Sequence, residues 1–300
     1  MCMELNVSHI QHFSVGDGAG LRTTVFLKGC NLRCPWCHNP ETWSSETQIL
    51  RYEQIGKEVI SGKKLRIEEI VEDVLTDKDF YESSGGGVTI SGGEAMLQGA
   101  GVAELSKQLC QNGISVLIDT AGNVPYTAFE LTNPYVDGYL FDYKTDEAEK
   151  SSRLGGDRHL IRDNIRALLR DEKNVRIRIP LIPNFNTSDA AIHSMCESLR
   201  ELGVKTVDLI PFHRMGSGKY KALGLSYPYQ DISLLAKEQL QKIRNTFSDY
   251  FETNLEEISR SIQLLAQIFE TQPYLWVRRK ILKYVNSRSR QHRKVTAVRI

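Results

Sequence analysis

The sequence predicts an α/β fold in which six β-rich runs alternate with amphipathic helices and curve into an open, partial (βα)6 barrel. Three observations lead there. Short apolar runs recur at residues 23–27, 88–91, 115–119, 138–143, 175–182 and 206–211. Helical spacing fills most of the gaps between them. Six strands are too few to close an eight-stranded barrel, and 300 residues suffice for one large domain. Strand–helix alternation favours a parallel sheet with right-handed crossovers.

The helices follow in order. Ile67, Ile70, Val71, Val74 and Leu75 recur as one helix face. Val102, Leu105 and Leu109 form a second face, stopped at Gly113. Ile161, Ile165 and Leu168 form a third. Ile192, Met195, Leu199 and Leu202 form a fourth, entered through Ser188 or Asp189 as N-cap. Leu235, Ile243 and Phe247 suggest a fifth. A boundary is expected near residue 250, giving a core domain at 1–250 and an extension at 251–300. The extension would hold an amphipathic helix (Ile258, Ile262, Leu265, Phe269), broken at Pro273 and followed by a basic tail.

With 41% hydrophobic and 25% charged residues, the composition is that of an ordinary soluble chain. No leader pattern opens the sequence and no run of 18 apolar residues occurs, so no membrane partner is expected. The net charge of +1 hides an asymmetry. Residues 277–300 hold nine of the 38 Lys and Arg and no acid, leaving 29 basic against 37 acidic groups elsewhere, a net of −8. Such a block suits nucleic acid, an anionic surface or an acidic partner, but is more often a solvated tail, and nucleic acid is disfavoured.

Cys30, Cys34 and Cys37 carry the chemistry. They read Cys-x3-Cys-x2-Cys in KGCNLRCPWCHNPETW, directly after the first strand. Three thiolates on one loop suit three corners of a [4Fe–4S] cluster, with one iron left open to a small molecule. The rest, Cys2, Cys110 and Cys196, are scattered. Structural zinc usually takes two separated ligand pairs, so zinc, chance spacing and a disulfide framework are the weaker alternatives. Thiolates of this kind suit a reducing, cytoplasmic location. The second strand ends in Gly92, Gly93 and Glu94 within SGGGVTISGGEAMLQ. Glycines there let backbone approach a ligand, and a carboxylate or carbonyl could take an ammonium group.

The two motifs together resemble the radical S-adenosylmethionine (SAM) enzymes. The fuller string DGAGLRTTVFLKGCNLRCPWCHNPETW, with GGVTISGGEAMLQ, resembles the activating enzymes of glycyl radical enzymes, nearest the pyruvate formate-lyase activating type. The likeness covers roughly residues 9–250. It implies a radical SAM partial (βα)6 TIM-like barrel and a 5′-deoxyadenosyl radical that takes hydrogen from a glycine of a partner enzyme. It also implies flavodoxin or ferredoxin as electron donor. Cys30, Cys34 and Cys37 would hold the cluster. Trp36 would lie near the adenine, with backbone contacts at His38. Gly93 and Glu94 would meet the methionine amino group. Asp119 and Thr120 end the third strand, and Asp142, Tyr143 and Lys144 the fourth. Lys144 would favour the SAM carboxylate, and the aspartates a monovalent cation. Arg178 ends the fifth strand and His213 the sixth.

Two departures stand out. Residues 42–87 contain no cysteine, which excludes the ferredoxin-like insert of many activating enzymes. Ala19 stands where proline is usual. Residues 17–20, with two glycines, are expected to form a lid over a substrate peptide, and a Gly20→Val variant to lose activation while keeping SAM cleavage. The alternatives are another radical SAM activity, such as activation of an anaerobic ribonucleotide reductase or modification of a small molecule, and a non-enzymatic metal-binding module with a nucleic-acid-binding tail.

Overall fold

The structure, a computed structural model, describes residues 3–255. The expected C-terminal helix and basic tail lie outside the described residues.

All six expected strands form, and further strands join them. The described chain holds β1 (Glu4–Ser14), β2 (Arg22–Leu27), β3 (Gln48–Tyr52), β4 (Lys57–Ser61), β5 (Lys63–Arg66) and β6 (Gly87–Gly92). It continues with β7 (Val116–Thr120), β8 (Gly138–Asp142), β9 (Val175–Leu181), β10 (Thr206–Pro211) and β11 (Glu252–Leu255). One sheet runs in the order β11-β10-β9-β8-β7-β6-β2-β1-β5, and β3 pairs with β4 in a separate hairpin. From β2 to β11 every pairing is parallel. The sheet is therefore mixed, not purely parallel: β1 is antiparallel to both β2 and β5. Strand β11 also carries the sheet past residue 250 by pairing with β10.

The connections are helical: α1 (Ile67–Leu75), α2 (Lys78–Ser84), α3 (Gly99–Gln111), α4 (Thr127–Thr132), α5 (Ala148–Arg153), α6 (Arg158–Arg170), α7 (Asp189–Glu201), α8 (Ser217–Ala222) and α9 (Lys237–Ser248). Their apolar faces are the expected ones. Ile67, Ile70 and Val74 of α1 are fully buried, as are Ile165 and Leu168 of α6. Each such side chain contributes about 1.5–3 kcal/mol. Ser188, not Asp189, caps α7, accepting from Ala191 N at 3.2 Å. Asp157 caps α6 through His159 N at 2.9 Å. Leu235 precedes α9 rather than lying in it. Strands β6 and β8 are buried along nearly their whole length; β8 reads as a near-continuous apolar run, while β6 alternates Val88 and Ile90 with the buried Thr89 and Ser91. No helix of the described residues is long and apolar enough to cross a membrane.

The segment at residues 17–20 is not a free lid. Asp17 Oδ2 accepts from Thr24 Oγ1 at 2.7 Å and from the Ser14 hydroxyl, and its carbonyl accepts from Thr89 Oγ1 at 2.6 Å. Thr24 of β2 and Thr89 of β6 are register partners, so this loop folds onto the sheet face that carries them. Gly20 has φ +71°, and a Cβ there would lie 2.5 Å from Gly86 N and 2.6 Å from Ser84 O. The Gly20→Val variant is therefore expected to destabilise the whole fold, by about 2 kcal/mol or more, rather than to separate activation from SAM cleavage. Thermal melting checks this; an unchanged midpoint would contradict it.

Candidate active site: the cysteine loop and the strand ends

The cysteine loop leaves β2 and returns on itself. Gly29 N donates to Thr42 O at 2.8 Å, and Cys30 N to Trp43 O at 3.1 Å. The loop after β6 is stitched to it: Glu94 N donates to Gly29 O at 2.8 Å. Gly93 permits this, since a Cβ would lie 2.2 Å from the Gly29 carbonyl. Two motifs some sixty residues apart in sequence thus form one wall.

Cys30, Cys34 and Cys37 share an apolar setting with Leu32, Trp36, Ala121, Leu154 and Phe185. Leu32 N donates to Cys30 Sγ at 3.4 Å. Burial, with neighbouring thiolates adding to it, pushes the Cys34 thiol up to about 11 against the opposing charge of Lys144, and Cys37 up to about 12. A trio of this kind favours a cation that can take up its charge. Among the described residues no three His, Cys, Asp or Glu side chains converge tightly enough for a single metal ion. A [4Fe–4S] cluster asks for less convergence, because each thiolate binds a different iron. The ring of His38 packs edge-on against His213 at 4.8 Å. The donor set fits three corners of the cluster.

Glu94 is fully buried. Its Oε1 accepts from Thr120 Oγ1 at 2.7 Å and Met96 N at 3.1 Å, and its Oε2 from Ala121 N at 2.9 Å. The carboxylate therefore braces the end of β7 against the loop after β6. It has about one acceptor position left for an ammonium group.

Asp119, Asp142 and Arg178 lie on one face because β7, β8 and β9 are in parallel register, Asp142 opposite Arg178. Asp119 accepts from Ser91 Oγ at 2.7 Å and lies 3.8 Å from Arg178. Lys144 Nζ is 3.0 Å from Asp142. Burial lowers the Lys144 pKa, but the charges of Asp142 and Cys34 raise it more, so the lysine stays charged between the carboxylates and the cysteine trio. Arg178 also donates to Gly16 O at 3.3 Å, tying the segment just before residues 17–20 to β9. Burial lowers the His213 pKa, so its ring is neutral at pH 7.

Tyr143 directly follows β8, as expected. Strand alternation turns it outward, its ring is buried, and its hydroxyl donates to Asp146 Oδ1 at 2.6 Å. The residue borders the same cavity as Asp142 and Lys144. Conversely, Phe185 and Tyr229 were not legible as site residues. Their rings pack on Trp36 at 4.5 and 5.8 Å, and Lys150 pins the Phe185 carbonyl at 2.6 Å. An aromatic in the loop after a barrel strand was the one available signal.

Burial first, and Asp142 second, push the Asp119 carboxyl up to about 7. A carboxyl raised by folding is held protonated by the folded state, so stability falls as pH rises from the unfolded value near 3.9 through 7. Between pH 5 and 8 the wild type should lose about 2 kcal/mol relative to Asp119→Asn. Melts of the cofactor-free proteins at both pH values check this, and a constant difference would contradict it.

Comparison with known proteins agrees with this geometry. Residues 16–170 match the family described as a 4Fe-4S single cluster domain. The chain is 32% identical to the choline trimethylamine-lyase activating enzyme of Oleidesulfovibrio alaskensis, over 81% of this chain and 95% of the relative. It is also 32% identical to the pyruvate formate-lyase-activating enzyme of Clostridium pasteurianum, over 82% and 98%. The chain belongs to the glycyl radical enzyme activating enzymes, a family of radical SAM proteins. Like that family, it works with a [4Fe–4S] cluster and SAM. A radical SAM methyltransferase from Sphaerobacter thermophilus shares the fold, with TM-score 0.55 and 17% identity over 78% of this chain and 66% of the other. As an activating enzyme, the protein should gather its polar groups at the C-terminal strand ends, and Glu94, Asp119, Asp142, Lys144 and His213 lie at or just beyond them; Arg178 does not end its strand as expected but sits mid-strand in β9, opposite Asp142.

Proposed function

We propose that this activating enzyme cleaves SAM reductively and installs a radical on a glycine of a partner enzyme of the pyruvate formate-lyase class. The observation that carries the reading is the single wall built from the cysteine loop and Gly93–Glu94, facing Lys144 and the paired aspartates. Held by Cys30, Cys34 and Cys37, the cluster would supply the electron for reductive cleavage of SAM, and SAM the fragment that would take hydrogen from the glycine.

The chain's own residues bind and orient. Cys30, Cys34 and Cys37 hold the cluster. Lys144 meets the SAM carboxylate, and the backbone at Gly93 with the remaining acceptor of Glu94 meets the amino group. Trp36, with Phe185 and Tyr229 behind it, gives the adenine an apolar wall that excludes water. Asp119 and Asp142 offer oxygen ligands to a monovalent cation. Orientation is the main protein contribution, because a radical formed 1 Å out of place attacks the wrong bond.

Length supports the compact, single-cluster type. The likeness to the Clostridium pasteurianum protein runs over 248 positions, and that to the Oleidesulfovibrio alaskensis protein over 294, for nearly the same share of this chain. The surplus belongs to the latter relative. Where further clusters would need cysteines, this chain has the β3–β4 hairpin. The electron comes, on this reading, from a flavodoxin or ferredoxin.

The test uses anaerobically reconstituted full-length protein, reduced and given SAM. The expected result is a reduced-cluster electron paramagnetic resonance signal that changes with SAM, formation of 5′-deoxyadenosine, and a glycyl radical signal when a pyruvate formate-lyase is added. Deoxyadenosine without any glycyl radical on that partner would overturn the partner class. Bound zinc, or a cluster indifferent to SAM, would overturn the reading as a whole.

A further inference from the structure

Two cations border the cysteine loop: Lys144, paired with Asp142 at 3.0 Å, and Arg33, hydrogen-bonded to the Cys30 carbonyl. Arg33 lies inside the cysteine loop itself and is exposed. One of its terminal nitrogens, Nη1, donates to the carbonyl of Cys30 at 2.6 Å and to that of Leu32 at 2.8 Å. Its backbone N–H is tied to Leu154 O at 2.8 Å, and its guanidinium lies 5.9 Å from the Trp43 ring centre. The arginine thus gathers two carbonyls of the 30–33 turn onto its outer side. On the peptide between these two carbonyls, the Leu32 N–H meets Cys30 Sγ at 3.4 Å.

From this we infer that Arg33 is a positioning residue that sets the reduction potential of the cluster, holding a fixed positive charge and an N–H···S bond against its Cys30 corner. The inference rests on the assignment of Cys30, Cys34 and Cys37 as cluster ligands. The step it concerns is simple in balance. One electron passes from a low-potential one-electron donor, such as a flavodoxin, to the cluster; the donor is oxidised, the cluster reduced, and no bond is broken. The reduced state carries one more negative charge inside a buried, apolar loop. A nearby guanidinium and a hydrogen bond to a ligand sulfur both favour that charge. Lys144 cannot serve this purpose alone, because its charge is shared with Asp142 and, on the proposed function, with the SAM carboxylate.

The experiment is a redox titration of anaerobically reconstituted wild type, R33Q and R33K, followed by electron paramagnetic resonance, with iron content and apoprotein melting measured in parallel. In R33Q the midpoint should move to more negative potential. At the wild-type midpoint the ratio of reduced to oxidised cluster should fall roughly 3- to 10-fold. R33K, which keeps the charge but holds the carbonyls less rigidly, should lie between. Equal midpoints in all three would overturn the inference. So would reduced iron content with an unshifted midpoint, which is the mark of a merely structural arginine. A wild type that takes up no cluster would instead overturn the ligand assignment on which it rests.

Discussion

Replacing Cys34 with alanine is expected to reduce SAM cleavage to the level of the cluster-free protein. Three thiols on one loop leave no spare ligand, and the other free cysteines of the described chain, Cys110 and Cys196, lie on α3 and α7. Loss of one corner leaves a two-thiolate site that cannot hold the cubane with one iron open. The fold should survive. Cys34 is a small buried side chain at 7% exposure, and its truncation costs the cofactor-free protein about 1 kcal/mol. The measurement is iron and sulfide per chain, the spectrum of the reduced cluster, and deoxyadenosine formed. Cys110→Ala, altering an exposed thiol, serves as the control and should match wild type. Retention of the cluster and of cleavage in the Cys34 variant would remove the central assignment.

The sequence displays what is local and hides what is long-range. The cysteine loop and the Gly-Gly-Glu turn are contiguous motifs. Six of the seven parallel strands are legible because β-branched and apolar residues concentrate in them, often at every second position, and the main helices because their faces recur every three to four residues. Strand β1 escaped because irregularities between Val7 and His9 and between Gln11 and Ser14 break the two-residue alternation that would mark it. Strand β11 is four residues long and cannot show a period. The outward turn of Tyr143 follows from alternation along β8 once the inward side of Asp142 is known, but a motif read as a block of three conceals it. Phe185 and Tyr229 reach Trp36 only through the folding of two separate loops. The 17–20 loop looked mobile because it has two glycines, yet those glycines permit close packing against Leu117, Arg22 and the Gly86 backbone.

Asp146 is the residue whose loss should matter most among those the motifs do not contain. It sits two positions beyond Lys144, with its side chain 9% exposed. Tyr143 and Ser198 donate to its Oδ1 at 2.6 Å each, and Ser194 to its Oδ2 at 3.2 Å. Arg158 reaches Oδ2 at 3.0 Å and Arg162 reaches Oδ1 at 3.1 Å. One carboxylate therefore ties the segment after β8, which bears Asp142 and Lys144, to both α6 and α7. Asp146→Ala leaves two part-buried guanidinium groups without this acid and several donors without an acceptor. The expected cost is about 3–5 kcal/mol, or a melting point lower by about 6–15 °C. Burial alone would raise the Asp146 carboxyl, but hydrogen bonds from Arg158, Ser198 and Tyr143 outweigh it and hold the pKa below the usual carboxylate range. Its contribution is thus complete above the unfolded value near 3.9 and is lost as pH falls through the lower folded value. Wild type and Asp146→Asn should differ clearly at pH 7, and the difference should shrink as pH falls below about 3.9 through the lowered folded value. Because the carboxylate acts on Lys144 only through the chain, the asparagine variant should raise KM for SAM more than it lowers kcat. Equal melting points at pH 7 would show that α6 and α7 hold the Lys144 segment without it.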